Sequence, residues 1–117
     1  MAPSGAAAAA LARAASGFES LATDLANAGR IDRKLAAQVV VEGIALASHR
    51  YTDLKTVDKK ASKLSEVTIV GVGAALTAGV KRGVVIATAT NMARDFANMP
   101  PAHLTATMFA NKAVEIA

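Results

Sequence analysis

The chain has 117 residues, 53% hydrophobic, with 13 basic and 9 acidic side chains and a formal net charge of +4. One domain's worth of core is within reach, but with aromatics at 3% and no Trp it must be built from Ala, Val, Leu and Ile, which bury little area each. The lack of Cys excludes disulfides, thiolate metal sites and cysteine nucleophiles; Lys81 and Arg82 interrupt the longest apolar stretch short of the roughly 20 residues of a membrane span, and the N-terminus lacks the charge-then-apolar order of a secretory signal, so a soluble, cytoplasmic protein is expected.

In chain order, Ala6 to Ala15 predicts a helix, because alanine loses no side-chain entropy on entering one. Gly17 ends it. A short strand is read in Phe18 to Leu25, then a turn at Asn27, Gly29 and Arg30. From Ile31 to Tyr51 the residues Ala36, Val40, Gly43, Ala47 and Tyr51 recur at helical spacing, with Gln38, Glu42, Ala45 and His49 on another face. This predicts an amphipathic helix with one buried side. Thr52 to Ser65 carries charge without period and reads as an exposed connector.

Glu66 to Val72 is a β-branched run of strand length, read as a buried strand. A long helix follows to about Asn98, with Val85, Ala89, Met92, Phe96 and Met99 on one face and Thr88, Asn91, Asp95 and Asn98 on another. Gly79 and Gly83 weaken its first turns and are candidates for its true start. Pro100 and Pro101 stop it. Thr105 suits the N-cap of a last helix through Ala117, whose Met108, Val114 and Ile116 have little left to pack against, a hint of truncation. The fold class is α/β, with helices around one or two strands.

Tests for chemistry return little. Gly71 and Gly73 follow the strand as in a dinucleotide fingerprint, but Leu76 occupies the third glycine position, so a tight strand-to-helix turn is the better account. No P-loop is present. His49 and His103 lack the spacing of a metal motif; His49 reads as a rim residue and His103 as a loop residue bonding the backbone. The carboxylates Glu19, Asp24, Asp32, Glu42, Asp53, Asp58, Glu66, Asp95 and Glu115 are scattered rather than paired, which gives acid-base catalysis no support. Arg94 and Asp95 suit local ion pairs. The bases Lys55, Lys59, Lys60 and Lys63 would attract phosphates, but a solvated connector is the preferred reading over nucleic-acid contact. Taken alone, these residues name no reaction.

Two stretches carry a resemblance. Val41-Glu-Gly-Ile-Ala-Leu-Ala-Ser-His-Arg-Tyr51 resembles the "EG, small or apolar residues, S-Y-R-F" signature of leucyl (cytosol) aminopeptidases. Ala87-Thr-Ala-Thr-Asn-Met-Ala-Arg-Asp-Phe-Ala-Asn-Met-Pro-Pro-Ala-His-Leu-Thr105 resembles that family's "ARDL-(V/A)-N-x-P-P-x-H-L-T-P" segment more closely. They occur in the family's order, so the resemblance covers about residues 31 to 117. His49 and Arg50 stand where the family more often has Tyr and Arg, Phe96 replaces Leu, and Ala106 replaces Pro.

The resemblance implies a hexameric peptidase that removes N-terminal residues from peptides with two divalent metals, Zn or Mn, activating a water. It also implies a division of the chain: residues 1–73 as the end of the N-terminal α/β domain, 74–99 as an interdomain helix, and 100–117 as the start of the catalytic domain. The family's Lys, Asp and Glu metal ligands belong to later motifs, including Asn-Thr-Asp-Ala-Glu-Gly-Arg, which this sequence does not contain. Hence no catalytic, metal-binding or substrate-binding residue is expected here, no metal is expected to be held by these residues, and the segment is expected to be inactive alone. The alternative is a non-catalytic interaction module, pairing with other subunits or contacting DNA through a basic surface.

Overall fold

The computed structural model describes residues 3–27, 31–49 and 63–117. Gly29, Arg30, Tyr51 and the connector with Lys55, Lys59 and Lys60 lie outside the described residues. The elements, in order, are helix α1 (Pro3–Ala14), strand β1 (Ser20–Thr23), a 3-10 turn (Leu25–Asn27), helix α2 (Arg33–Ser48), strand β2 (Glu66–Ile69), helix α3 (Ala74–Asn98) and helix α4 (Ala106–Ile116). The fold is therefore a small, mostly helical α/β segment.

β1 and β2 pair in parallel, with Ser20 opposite Glu66 and Thr23 opposite Ile69. Parallel neighbours need a crossover, and α2 supplies it, so β1, α2 and β2 form one βαβ unit. Asp32 starts α2 as its N-cap, its carboxylate accepting from the Leu35 amide at 3.3 Å. Asn27 fastens the preceding 3-10 turn to the end of β2, its side-chain amide donating to the Val70 carbonyl at 2.9 Å.

The core confirms the reading that small aliphatics would fill it. Ala8, Ala12, Ala26, Ala37, Val40, Ile44 and Leu76 form one buried cluster. Side chains this small bring helices close, and glycines bring them closer. At Gly43 an added Cβ would sit 2.5 Å from the Gly5 carbonyl oxygen and 3.2 Å from the Ala8 Cβ, so α1 lies almost backbone to backbone on α2. On the other side, a Cβ at Gly83 would sit 2.9 Å from both the Gln38 carbonyl oxygen and the Val41 Cβ.

α2 is the helix with one buried side that its pattern predicts: Ala36, Val40 and Gly43 are buried, with Ala37 and Ile44 beside them, while its other residues up to His49 are half-buried between α1 and α3. Two other expectations are corrected. First, Gly79 and Gly83 do not mark the start of α3, which begins at Ala74; they are buried within it, in a stripe with Leu76 and Ala87. The face headed by Val85 is not the core side, since Val85 is 68% exposed. Second, β2 is not a buried strand. Glu66, Val67 and Thr68 are exposed and Val72 is 80% exposed. A β-branched run records a preference for a pleated, packed surface, but a two-stranded sheet with helices over it covers little of β2.

The expected boundaries hold at the other end. Met99 leaves the helical conformation just before Pro100, and Thr105 caps α4, its hydroxyl accepting from the Met108 amide at 3.3 Å. No residue of α4 is buried. Met108, Val114 and Ile116 are exposed.

Candidate functional site

The contacts between α2 and α3 follow a constant sequence offset. An added Cβ at Gly79 would meet Ala37 and the Lys34 backbone, and one at Gly83 would meet Gln38 and Val41. Further along, Asn91 reaches Ala45, Arg94 reaches Leu46, and Asp95 reaches His49. Offsets of about 45 residues along this whole length mean that the helices run parallel and stay in step for four turns.

The last part of that seam is polar. An α-helix leaves its final carbonyls without intrahelical donors. At the end of α2, the Asn91 side-chain amide donates to the Ala45 carbonyl at 3.3 Å, and Arg94 Nη1 donates to the Leu46 carbonyl at 2.9 Å and to Asn91 Oδ1 at 3.1 Å. His49, the C-cap of α2, hydrogen bonds through Nε2 to Asp95 Oδ1 at 2.6 Å. Three residues of one motif on α3 thus finish off the end of a neighbouring helix.

This accounts for most of the residues singled out from the sequence. His49 is half-buried and paired, on the rim of the helix seam. Asp95 finds its partner in His49, across helices rather than locally, while Arg94 bonds the Leu46 carbonyl and the Asn91 side-chain oxygen instead of an acid. His103 lies in the turn after Pro100, its backbone amide donating to the Pro100 carbonyl at 2.9 Å. Lys63 is exposed and its amide donates to the Ser16 carbonyl. Gly73 caps α3 at φ 119°, a conformation that side chains disfavour, and Leu76 is buried in the core cluster. The strand-to-helix turn is therefore a packing device, not a phosphate cradle.

A second feature escaped sequence reasoning. A cavity of about 260 Å³ lies between α2, α3 and β2, walled by Val41, Ile44, Ser48, Val67, Ile69 and Val84 among others. The buried Ser48 hydroxyl has no hydrogen-bond partner among the described residues. Among the described residues neither an acid nor a base lines this space, which offers shape and the hydroxyls of Ser48 and Ser65.

No protein-family model matches the sequence. Curated relatives do: a probable cytosol aminopeptidase of Chlorobaculum tepidum is 33% identical over 90 residues, covering 68% of this chain and 18% of the relative. A probable cytosol aminopeptidase of Roseiflexus castenholzii is 35% identical over 88 residues, covering 69% and 18%. The bottromycin maturation enzyme BotP, solved in complex with Mn, superposes on 96% of this chain with a TM-score of 0.83 and 32% identity. A second BotP structure gives a TM-score of 0.84 at 34% identity.

The chain matches one part of the cytosol aminopeptidase family. The family resemblance read from the sequence is thereby upheld. The chain spans 18% of the length of those two curated relatives and 23% of the Mn-bound BotP chain. Among the described residues no three His, Asp or Glu side chains converge, and His49 and Asp95 face each other. Nor is any helix among the described residues long and apolar enough to cross a membrane.

Proposed function

We propose that this chain is a non-catalytic part of a metallo-aminopeptidase, which supports the enzyme structurally and hydrolyses nothing by itself. The observation that carries this reading is the match of 96% of the chain to under a quarter of the Mn-bound BotP chain, at 32% identity. The parent enzyme would remove N-terminal residues from peptides, using two divalent metals, Zn or Mn, to polarise the scissile carbonyl and activate a water. In this reading those metals would be held by residues of the parent outside this stretch, since no group of three ligand side chains is found among the described residues. A cytoplasmic location and a homo-oligomeric, hexameric parent belong to the same reading.

Within it, residues 1–73 are the end of an N-terminal α/β domain, 74–99 an interdomain helix and 100–117 the beginning of the catalytic domain. The exposure of α4 supports this division: Phe109, Val114 and Ile116 remain in solvent, the state of an apolar helix face that a further layer would cover. The test is hydrolysis of leucine p-nitroanilide by the purified 117-residue chain with Mn added. No turnover above buffer is expected, and metal-dependent turnover would overturn the proposal.

A further inference from the structure

The seam between α2 and α3 changes chemistry along its length. Up to Ala87 it is made of buried Leu, Gly and Ala, and the helices touch nearly backbone to backbone. Beyond Ala87 the small-residue stripe ends, and Asn91, Arg94 and Asp95 take over with bonds to the Ala45 carbonyl, the Leu46 carbonyl and the His49 ring. α3 packs chiefly on α2. α4, which has no buried residue, meets α3 through an edge-to-face contact of Phe96 and Phe109, with ring centroids 5.4 Å apart.

We propose that Asn91, Arg94 and Asp95 form a polar latch that caps the end of α2 and thereby fixes the direction in which the last turns of α3, and α4 after them, leave the helical body. The glycine-packed half of the seam sets how close the two helices lie. The latch sets where the far half points. The two contributions are separable because they use different groups on different turns. Each latch bond ends on the final turn of α2 or its cap, and those carbonyls need donors from outside their own helix. Release of the latch leaves the Gly79 and Gly83 contact in place and frees the far half of α3 to swing about it.

The absence of cysteine makes the test direct. Cysteines placed at the exposed positions Ala14 of α1 and Ala113 of α4 carry spin labels, and pulsed electron resonance reads the distribution of distances between them. The labelled parent chain is expected to give one narrow peak. The triple variant Asn91→Ala, Arg94→Ala, Asp95→Ala is expected to lose it, giving a broad distribution with the helical circular dichroism retained, since alanine favours helix at every one of these positions. A broad distribution in the parent, or a narrow one in a helical triple variant, would overturn the proposal. If the triple variant loses its helical signal, Asp95→Ala alone is read in the same way: broadening supports the latch and an unchanged peak overturns it. None of these readouts depends on peptidase activity, so the latch stands or falls apart from the proposed function.

Discussion

Replacing Gly79 by alanine sets two effects of opposite sign against each other. In an isolated helix the change stabilises by about 1 kcal/mol, because glycine pays more backbone entropy on ordering. In this fold the new methyl points into α2. It would lie 2.9 Å from the Ala37 Cβ and 3.0 Å from the Lys34 carbonyl carbon, with the Lys34 oxygen nearer still. Ordinary contact begins near 3.4 Å, so the Ala37 contact alone demands a retreat of about 0.5 Å, enough to forfeit a quarter or more of the dispersion energy of the atoms pulled apart. None of the three obstructing atoms can rotate away, since they are backbone or Cβ. Overpacking of this kind costs about 1–3 kcal/mol, and with the Lys34 oxygen the nearest obstruction the cost falls toward the upper end, which leaves Gly79→Ala net destabilised by up to about 2 kcal/mol after the helix gain. Urea denaturation followed by circular dichroism measures it, with Gly17→Ala as control, because a methyl there meets nothing within 4 Å. A Gly79→Ala protein as stable as the parent or more so would refute the claim that α2 and α3 are held at backbone distance.

Gly73→Ala is expected to lose about 1–3 kcal/mol by forcing a side chain onto φ 119° at the start of α3, read as a lowered denaturation midpoint; an unchanged midpoint would mean the turn has another route into the helix. Thr105→Ala removes the cap of a helix that has no buried residue, so its effect stays local: amide exchange across α4 should quicken about fivefold for a cap worth about 1 kcal/mol, with little change in global stability. Equal protection in α4 would show that the Thr105 hydroxyl is not its main stop.

Features set by neighbouring residues were legible in the sequence. The Thr105 cap, the stop at Pro100 and Pro101 and the position of β2 each depend on a few adjacent side chains, and each lies where the sequence reading placed it. Features set by distant residues were not. Gly79 and Gly83 look like weak helix positions when judged by propensity, whereas their use is to lack a Cβ where another backbone passes. The β-branched run at Val67, Thr68, Ile69 and Val70 announces a strand but not what covers it. Asn91, Arg94 and Asp95 stood out through family resemblance, yet their task depends on α2 lying parallel to α3 with a fixed offset, which no local pattern encodes. The cavity beside Ser48 is likewise a residue of packing, invisible until the elements are placed.

The parallel course of α2 and α3 has an electrostatic consequence. Each helix carries a macrodipole, equivalent to about half a positive charge at its start and half a negative charge at its finish. Lying side by side and pointing the same way, the two present like poles to each other at both ends, an arrangement that antiparallel helices avoid. Neither helix has a basic residue in its own last turn to soften this. The guanidinium of Arg94, carried on one helix and resting on the Leu46 carbonyl of the other, puts a full positive charge where the negative pole of α2 meets the flank of α3.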